Sequence, residues 1–175
     1  MKKAILITGV TGVGKTTLTK RLQELGKESY SIEDIKGMFV VYKKGTREVF
    51  ENYDITNLEH IDNSDWICDV DMLKELLAKQ KTDIAFYCGV AANLDEITPF
   101  FNKVILLKVN SKKLYERLLN REGKEQEMGS TKETRESVFD WKDWWENEME
   151  TMGVLTVNAD GSPDDVVKKI LALRL

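Results

Sequence analysis

The sequence predicts an α/β domain built on a parallel sheet, and three observations predict it. Short apolar runs alternate along the chain with longer segments of helical apolar spacing. A glycine-rich octet, Gly9 to Thr16, separates the first run from the first helical segment. The 175 residues contain neither an internal repeat nor a low-complexity stretch, so a single domain over 1–175 is expected. Strand–helix alternation places helices on both faces of the sheet, which makes the expected architecture three-layer α/β/α.

Ala4–Thr8 is a short apolar run with a turn behind it and reads as a buried strand. Lys15–Leu25 follows as a helix, with Leu18, Leu22 and Leu25 at helical spacing and Gly26 as its stop. Tyr30–Ile32 is the second strand. Within 36–63, Met38–Tyr42 reads as a short strand and Thr46–Tyr53 as helical. Asp65–Gln80 is expected to be one helix whose apolar face is Leu73, Leu76 and Leu77. Ile84–Cys88, stopped by Gly89, is the third main strand, and Val104–Lys108 the fourth. Ser111 caps a helix to about Arg121. The polar stretch from 122, with Gly123 and Gly129, reads as a loop. Arg135–Met152 is a long helix ended by Gly153, Val154–Val157 the fifth strand, and Ser162-Pro163 starts the last helix.

Composition narrows the function. The net charge is −4, from 26 basic and 30 acidic side chains, so no nucleic-acid partner is expected. Two cysteines, Cys68 and Cys88, make no disulfide framework and no metal-ligand spacing; a reducing cytoplasm is the expected compartment. No stretch approaches the ~20 apolar residues of a membrane span, and the run Ala4–Ile7 is too short for a signal-peptide core.

Gly9-Val10-Thr11-Gly12-Val13-Gly14-Lys15-Thr16 fits G-x-x-x-x-G-K-[ST] at every fixed position. The glycines let backbone approach a phosphate closely, and successive N–H groups form an anion-binding nest. The amino end of the following helix adds positive field. Lys15 reaches the β- and γ-phosphates of a nucleoside triphosphate, and the Thr16 hydroxyl ligates Mg²⁺. Gly9, Thr11, Gly12, Val13, Gly14, Lys15, Thr16 and Thr17 are therefore the expected nucleotide-binding residues.

With this loop near its start, its length and its five strand candidates, the chain resembles the small P-loop kinases of the adenylate, shikimate and gluconate kinase group. The resemblance implies a five-stranded parallel sheet in the order 2-3-1-4-5, ATP and Mg²⁺ as cofactors, and a short lid over 122–134. It implies that Arg117 and Arg121, four apart on one helix face, open the lid, one on the adenine side and one on the moving phosphates. Arg135 is expected to return from the lid's far end. It implies that Asp34, after the second strand, accepts the acceptor proton or binds the metal through water, with Glu33 as understudy, and that Gly89 lies close to the acceptor site. The residues after Gly89, Val90-Ala91-Ala92, lack the aromatic, Pro and Arg of adenylate kinase and the glycine run of shikimate kinase, and Cys88 stands where a Walker B acid would. Residues 36–70 are the expected acceptor-binding region.

Several residues are set aside. His60, the only histidine, reads as a surface or loop residue, and the Trp141, Trp144 and Trp145 stripe as core or docking surface, with base stacking the lesser reading. Asn93 is either a polar contact or a helix cap, and Asn158–Pro163 a connection or a loop beside the adenine. Asp62, Asp65, Asp69 and Asp71 read as a helix start, with pocket lining as the alternative; Arg47 is a candidate acceptor contact. The expected activity is transfer of the ATP γ-phosphoryl group to a small-molecule acceptor, a nucleoside or nucleotide first and a sugar-like or other hydroxyl metabolite second. An ATP-binding switch is the alternative class. Lys15, Asp34, Arg117 and Arg121 are the expected catalytic residues, Thr16 and Asp34 the metal side, and the chain is expected to be a monomer or homodimer without a membrane partner.

Overall fold

The computed structural model describes residues 2–121, 123–124 and 127–175. In chain order come β1 (Lys3–Thr8), α1 (Lys15–Glu24), β2 (Glu28–Ser31), β3 (Phe39–Lys43), α2 (Leu58–Asp62), β4 (Ser64–Cys68), α3 (Val70–Ala78), β5 (Ile84–Cys88), α4 (Leu94–Ile97), β6 (Lys103–Lys108), α5 (Ser111–Leu119), α6 (Lys132–Thr151), β7 (Leu155–Asn158) and α7 (Pro163–Leu171). Of the expected lid, Glu122, Glu125 and Gln126 lie outside the described residues, and Lys132 to Thr134 already belong to α6.

The main sheet runs β2-β5-β1-β6-β7 with every pairing parallel. Counting only its five strands in chain order, this is 2-3-1-4-5, as expected. β1 is central, and Ala4 through Thr8 are all buried. A strand buried on both faces must be apolar throughout, which is why it reads as a run rather than an alternation. Ile5, Leu6, Ile7, Phe86, Tyr87, Ile105 and Leu106 form the middle of the core. Each such side chain contributes about 1.5–3 kcal/mol relative to exposure. The sheet thereby presents the carboxyl ends of β1, β2 and β5 together, where ligands bind in open α/β sheets.

The segment between β2 and β5 departs from the sequence reading. Asp65–Cys68 is not the start of a helix but strand β4, antiparallel to β3, with Val41 opposite Trp66 and Tyr42 opposite Asp65. Trp, Ile and Cys favour the pleated surface, and the helix starts only after Asp69, whose carboxylate accepts from the Asp71 and Met72 amides. Thr46–Tyr53 is not helical either. Val49 bridges back to Tyr42, and Asn52 at φ 56 is left-handed, a conformation no α-helix continues through. α2, which the sequence reading missed, is capped by Asn57, whose side chain accepts from the Glu59 and His60 amides.

α6 opens on a reciprocal cap between Thr131 and Thr134. Its inward face carries Val138 and Met149, but also a buried ion pair, Lys142 to Glu146 at 3.0 Å. Lys108 of β6 lies 3.5 Å from the same carboxylate. α6 packs against α5 and β6, and it also touches α2. That contact closes the β3–α2–β4 insertion over the sheet's carboxyl edge.

Candidate functional site

The octet leaves β1 and turns into α1 as expected. Lys15 is 7% exposed; its Nζ donates to the Gly9 carbonyl at 2.8 Å. Gly9 thus holds the lysine from behind, while Thr11 to Thr17 line the cavity in front. The amides of Thr11, Gly12 and Gly14 donate to no backbone carbonyl among the described residues. An anion at the mouth of α1 would supply the acceptor they lack. Gly12 has φ +86, and a Cβ there would stand 2.8 Å from Leu114 Cδ1 and 2.9 Å from Leu118 Cδ2. The loop can pack on α5 only without a side chain at that point.

That packing brings the two α5-side arginines to the loop. Arg117 donates to the Val13 carbonyl and, through its other terminal nitrogen, to the Ala159 carbonyl, both at 2.9 Å. It thereby ties the phosphate loop to the segment after β7. Burial pushes its guanidinium pKa down, with Asp160 opposing. Arg121 donates to Thr11 Oγ1 and the Met128 carbonyl, both at 3.1 Å, and pairs with Glu127 at 3.2 Å. Arg135 stands elsewhere: it is buried and donates to the Gly129 and Ser130 carbonyls, so it holds the segment before α6 and does not line the cavity.

The turn after β2, Ile32–Asp34, places both acids. Glu33 Oε1 lies 3.8 Å from Lys15 Nζ and accepts the Val90 amide at 2.9 Å. Asp34 is exposed; with Thr16 it lines both the main cavity and a smaller one beside α1. Glu33 therefore links Lys15 to the Val90 amide, while Asp34 shares both cavity linings with Thr16. Gly89 explains the close seat of this turn, because a Cβ there would meet Ile32 Cγ1 at 2.5 Å. Cys88 is fully buried, and burial pushes its thiol up to about 11. It supplies no carboxylate at the strand end.

The main cavity measures about 1520 Å³. A single ligand pocket is typically ~300–1,000 Å³, so the volume leaves room for more than one small molecule. It is also lined by the insertion, through Tyr53, Ile61, Asp62, Asp65 and Trp66, and by α6, through Glu136, Asp140, Trp141 and Trp144. Ala159 and Gly161 extend the near wall, so the loop after β7 is more than a connection. The tryptophan stripe divides: Trp145 enters the core, Trp144 is 61% exposed, and all three line the cavity. Arg47 instead lies 5.8 Å over the Tyr42 ring, off the cavity wall. Asn93 is buried and pairs with Cys68, accepting its amide at 2.9 Å and donating to its carbonyl at 3.0 Å; it fastens β4 to the main sheet. His60, on α2, accepts the Asp54 amide at 3.0 Å. No group of three or more His, Cys, Asp or Glu suited to a metal occurs among the described residues, and none of their helices is long and apolar enough to cross a membrane.

A buried lysine in a glycine loop between a central parallel strand and a helix, with two arginines at its rim, defines a P-loop nucleotide-binding fold of the small-kinase type. A family model described as AAA domain matches residues 5–138, and the chain belongs to that family. No curated protein matches the sequence. Among solved structures, the fold is similar to a gluconokinase from Sinorhizobium meliloti 1021, with a TM-score of 0.52, 15% identity, and 97% of this chain and 90% of that one covered. It is similar to a deoxyadenosine kinase from M. mycoides with bound dATP (TM-score 0.54, 14% identity, 96% and 97% covered). A shikimate kinase from Bacteroides thetaiotaomicron also matches (TM-score 0.51, 18% identity, 98% and 99% covered). At these identities the likeness is one of fold.

Proposed function

We propose that this protein transfers the γ-phosphoryl group of ATP to a hydroxyl of a small acceptor. The observation that carries the reading is that one cavity is lined at one end by the phosphate loop with Lys15, Arg117 and Arg121 and is lined further by residues of the insertion and α6. A switch protein needs only the first of these linings.

In this reading the loop amides and Lys15 hold the β- and γ-phosphates, exchanging the Gly9 carbonyl for phosphate oxygens. Arg117 sits where the base side meets the loop, and Arg121 neutralises charge developing on the moving group. The acceptor hydroxyl attacks the γ-phosphorus, the bond to the β,γ-bridging oxygen breaks, and ADP leaves. The acceptor proton passes to a carboxylate. In this reading Glu33 serves there, since it bonds the Val90 amide just after β5; Asp34, which shares its cavity linings with Thr16, would hold the metal through water. The Thr16 hydroxyl and Asp34 suit Mg²⁺, which takes one or two protein oxygens besides phosphates and water and supplies charge neutralisation when bound.

Thermal unfolding with the non-hydrolysable analogue AMP-PNP and Mg²⁺ tests this. The analogue raises the Tm of the wild type and leaves Lys15→Ala unchanged; an equal rise in both defeats the reading. ADP formation that runs equally fast with and without any acceptor favours the switch instead.

A further inference from the structure

The span Gly89–Asn93, which follows β5, is pinned at both ends. At its start the Gly89 amide donates to the Ile7 carbonyl of β1 at 3.0 Å. At its finish the Ala92 amide donates to the Trp66 carbonyl of β4 at 2.8 Å. Asn93 adds two more bonds to β4: its Oδ1 accepts the Cys68 amide at 2.9 Å, and its Nδ2 donates to the Cys68 carbonyl at 3.0 Å. The same Nδ2 donates to Glu96 at 3.1 Å. Asn93 is 6% exposed. It stands at the cap position of α4, yet its side chain makes no cap bond there. A cap-type residue is thus turned away from its own helix and takes the place of a ladder pair for β4.

Between its two ends the span presents the Val90 amide to Glu33 Oε1 at 2.9 Å. That oxygen is the one 3.8 Å from Lys15 Nζ. Val90, Ala91 and Ala92 line the cavity with Glu33 and Trp66, but Asn93 does not. Asn93 therefore acts only through the backbone it holds. A hydrogen bond is directional and weakens steeply once the donor turns away from its acceptor. A donor on a span free at one end fixes a carboxylate less sharply than a donor on a span pinned at both.

Resting on the phosphotransferase reading, we infer that Asn93 is a positioning residue for proton transfer. By locking Cys68 to the end of the Gly89–Asn93 span, it keeps the Val90 amide on Glu33 and so fixes the carboxylate that takes the acceptor's proton. The same lock sets Trp66 of the insertion relative to Glu33, because Val90 binds one and Ala92 the other. Base and insertion are thereby held in one frame.

Two readouts test the assignment: amide hydrogen exchange of the isotope-labelled protein by NMR, and MgATP hydrolysis, with water in the acceptor's place. In Asn93→Ala the Val90 amide exchanges about tenfold faster than in the wild type, the effect of one weakened hydrogen bond, while the amides of Ile5 to Thr8 keep their rates. The hydrolytic kcat falls by about ten- to a hundredfold, as for a misplaced group, and the KM for ATP holds. In the Glu33→Gln background the same substitution lowers kcat no further, because both changes act through one carboxylate. A merely structural role would lower kcat by the same factor in both backgrounds. Asn93→Asp keeps an acceptor for the Cys68 amide and loses the donations to Cys68 and Glu96; it moves both readouts the same way by less, and it decides the matter where Asn93→Ala does not fold. Unchanged Val90 exchange in the folded variant, or a kcat loss of equal size with Glu33 and with Gln in its place, overturns the inference. The exchange readout needs no turnover, so failure of AMP-PNP to raise the wild-type Tm strikes the phosphotransferase reading alone.

Discussion

Glu33 Oε1 stands 3.8 Å from the Lys15 ammonium and receives the Val90 amide at 2.9 Å. One carboxylate therefore links the lysine of the glycine loop to the backbone just after β5. Its neighbour Asp34 makes no such link and shares its surroundings with Thr16. Sequence alone left Asp34 as either proton acceptor or metal ligand through water, with Glu33 in reserve, because position after a strand does not say which of two adjacent acids turns inward.

The two acids therefore separate on mutation. Glu33→Gln keeps an oxygen for the Val90 amide and removes the base, so kcat falls by ~10²–10⁴-fold with little change in the KM for ATP. Asp34→Asn instead raises the Mg²⁺ concentration needed for half-maximal rate. Steady-state kinetics across a Mg²⁺ titration read both, and a larger kcat loss in Asp34→Asn returns the proton-accepting role to Asp34.

The arginines differ in the same way. Arg117→Ala strips a donor from both the Val13 and Ala159 carbonyls, so stability falls by about 1–3 kcal/mol and the KM for ATP rises. Arg121→Ala acts on the moving charge, and kcat drops by ~10²–10³-fold with ATP binding nearly kept. Lysine rescues neither, because a single ammonium cannot span two acceptors as the guanidinium does. Analogue binding measured beside turnover separates the two effects.

What was legible in the sequence follows from range. The phosphate loop is local, its function being written in eight consecutive residues, and the alternation of buried strands and helices is carried by short windows. The order 2-3-1-4-5 came from resemblance rather than from any residue pattern. The insertion was misread because its structure depends on pairing: Asp65–Cys68 becomes a strand through Phe39–Lys43, and Asn93 from the far side of β5 bonds the Cys68 backbone. Nothing within four residues of Trp66 encodes that partner. The tryptophans of α6 read by spacing as core or docking surface; all three line the cavity, with Trp145 also in the core and Trp144 exposed. Spacing on one helix does not encode that α2, some eighty residues earlier, comes against it.

Gly89 shows how a residue outside the cavity sets the site. A methyl group there would intrude to 2.5 Å of Ile32 Cγ1 and 3.4 Å of Glu33 Cγ. Gly89→Ala should cost about 1–3 kcal/mol by overpacking and push the Ile32–Asp34 turn off the sheet. Because Lys15 and the loop are untouched, analogue affinity holds while turnover falls. Chemical denaturation with calorimetric binding checks the pair, and unchanged turnover would mean that Glu33 does not depend on this seat.

Acid sensitivity should come from the opposite end of β2. Partial burial pushes the Glu28 carboxyl up, but hydrogen bonds from the Thr82 amide and hydroxyl, the Lys81 amide and the Tyr30 hydroxyl outweigh it and hold it down to about 2. The amides of Lys81 and Thr82 reach it at 2.9 and 2.7 Å, so the carboxylate anchors the turn that leads into β5. A carboxyl lowered on folding contributes its full stability above its ordinary value near 4.5 and loses it as pH falls through about 2. Glu28→Gln lacks the charge at every pH and cannot accept from both amides and the hydroxyl at once. Its Tm should lie furthest below wild type at pH 5 and above, and the gap should shrink steadily on acidification toward pH 2. A gap that stays constant over that range would show that the turn is held by packing around Tyr30 and Tyr87, whose rings stack at 5.3 Å, and not by the ionised carboxylate.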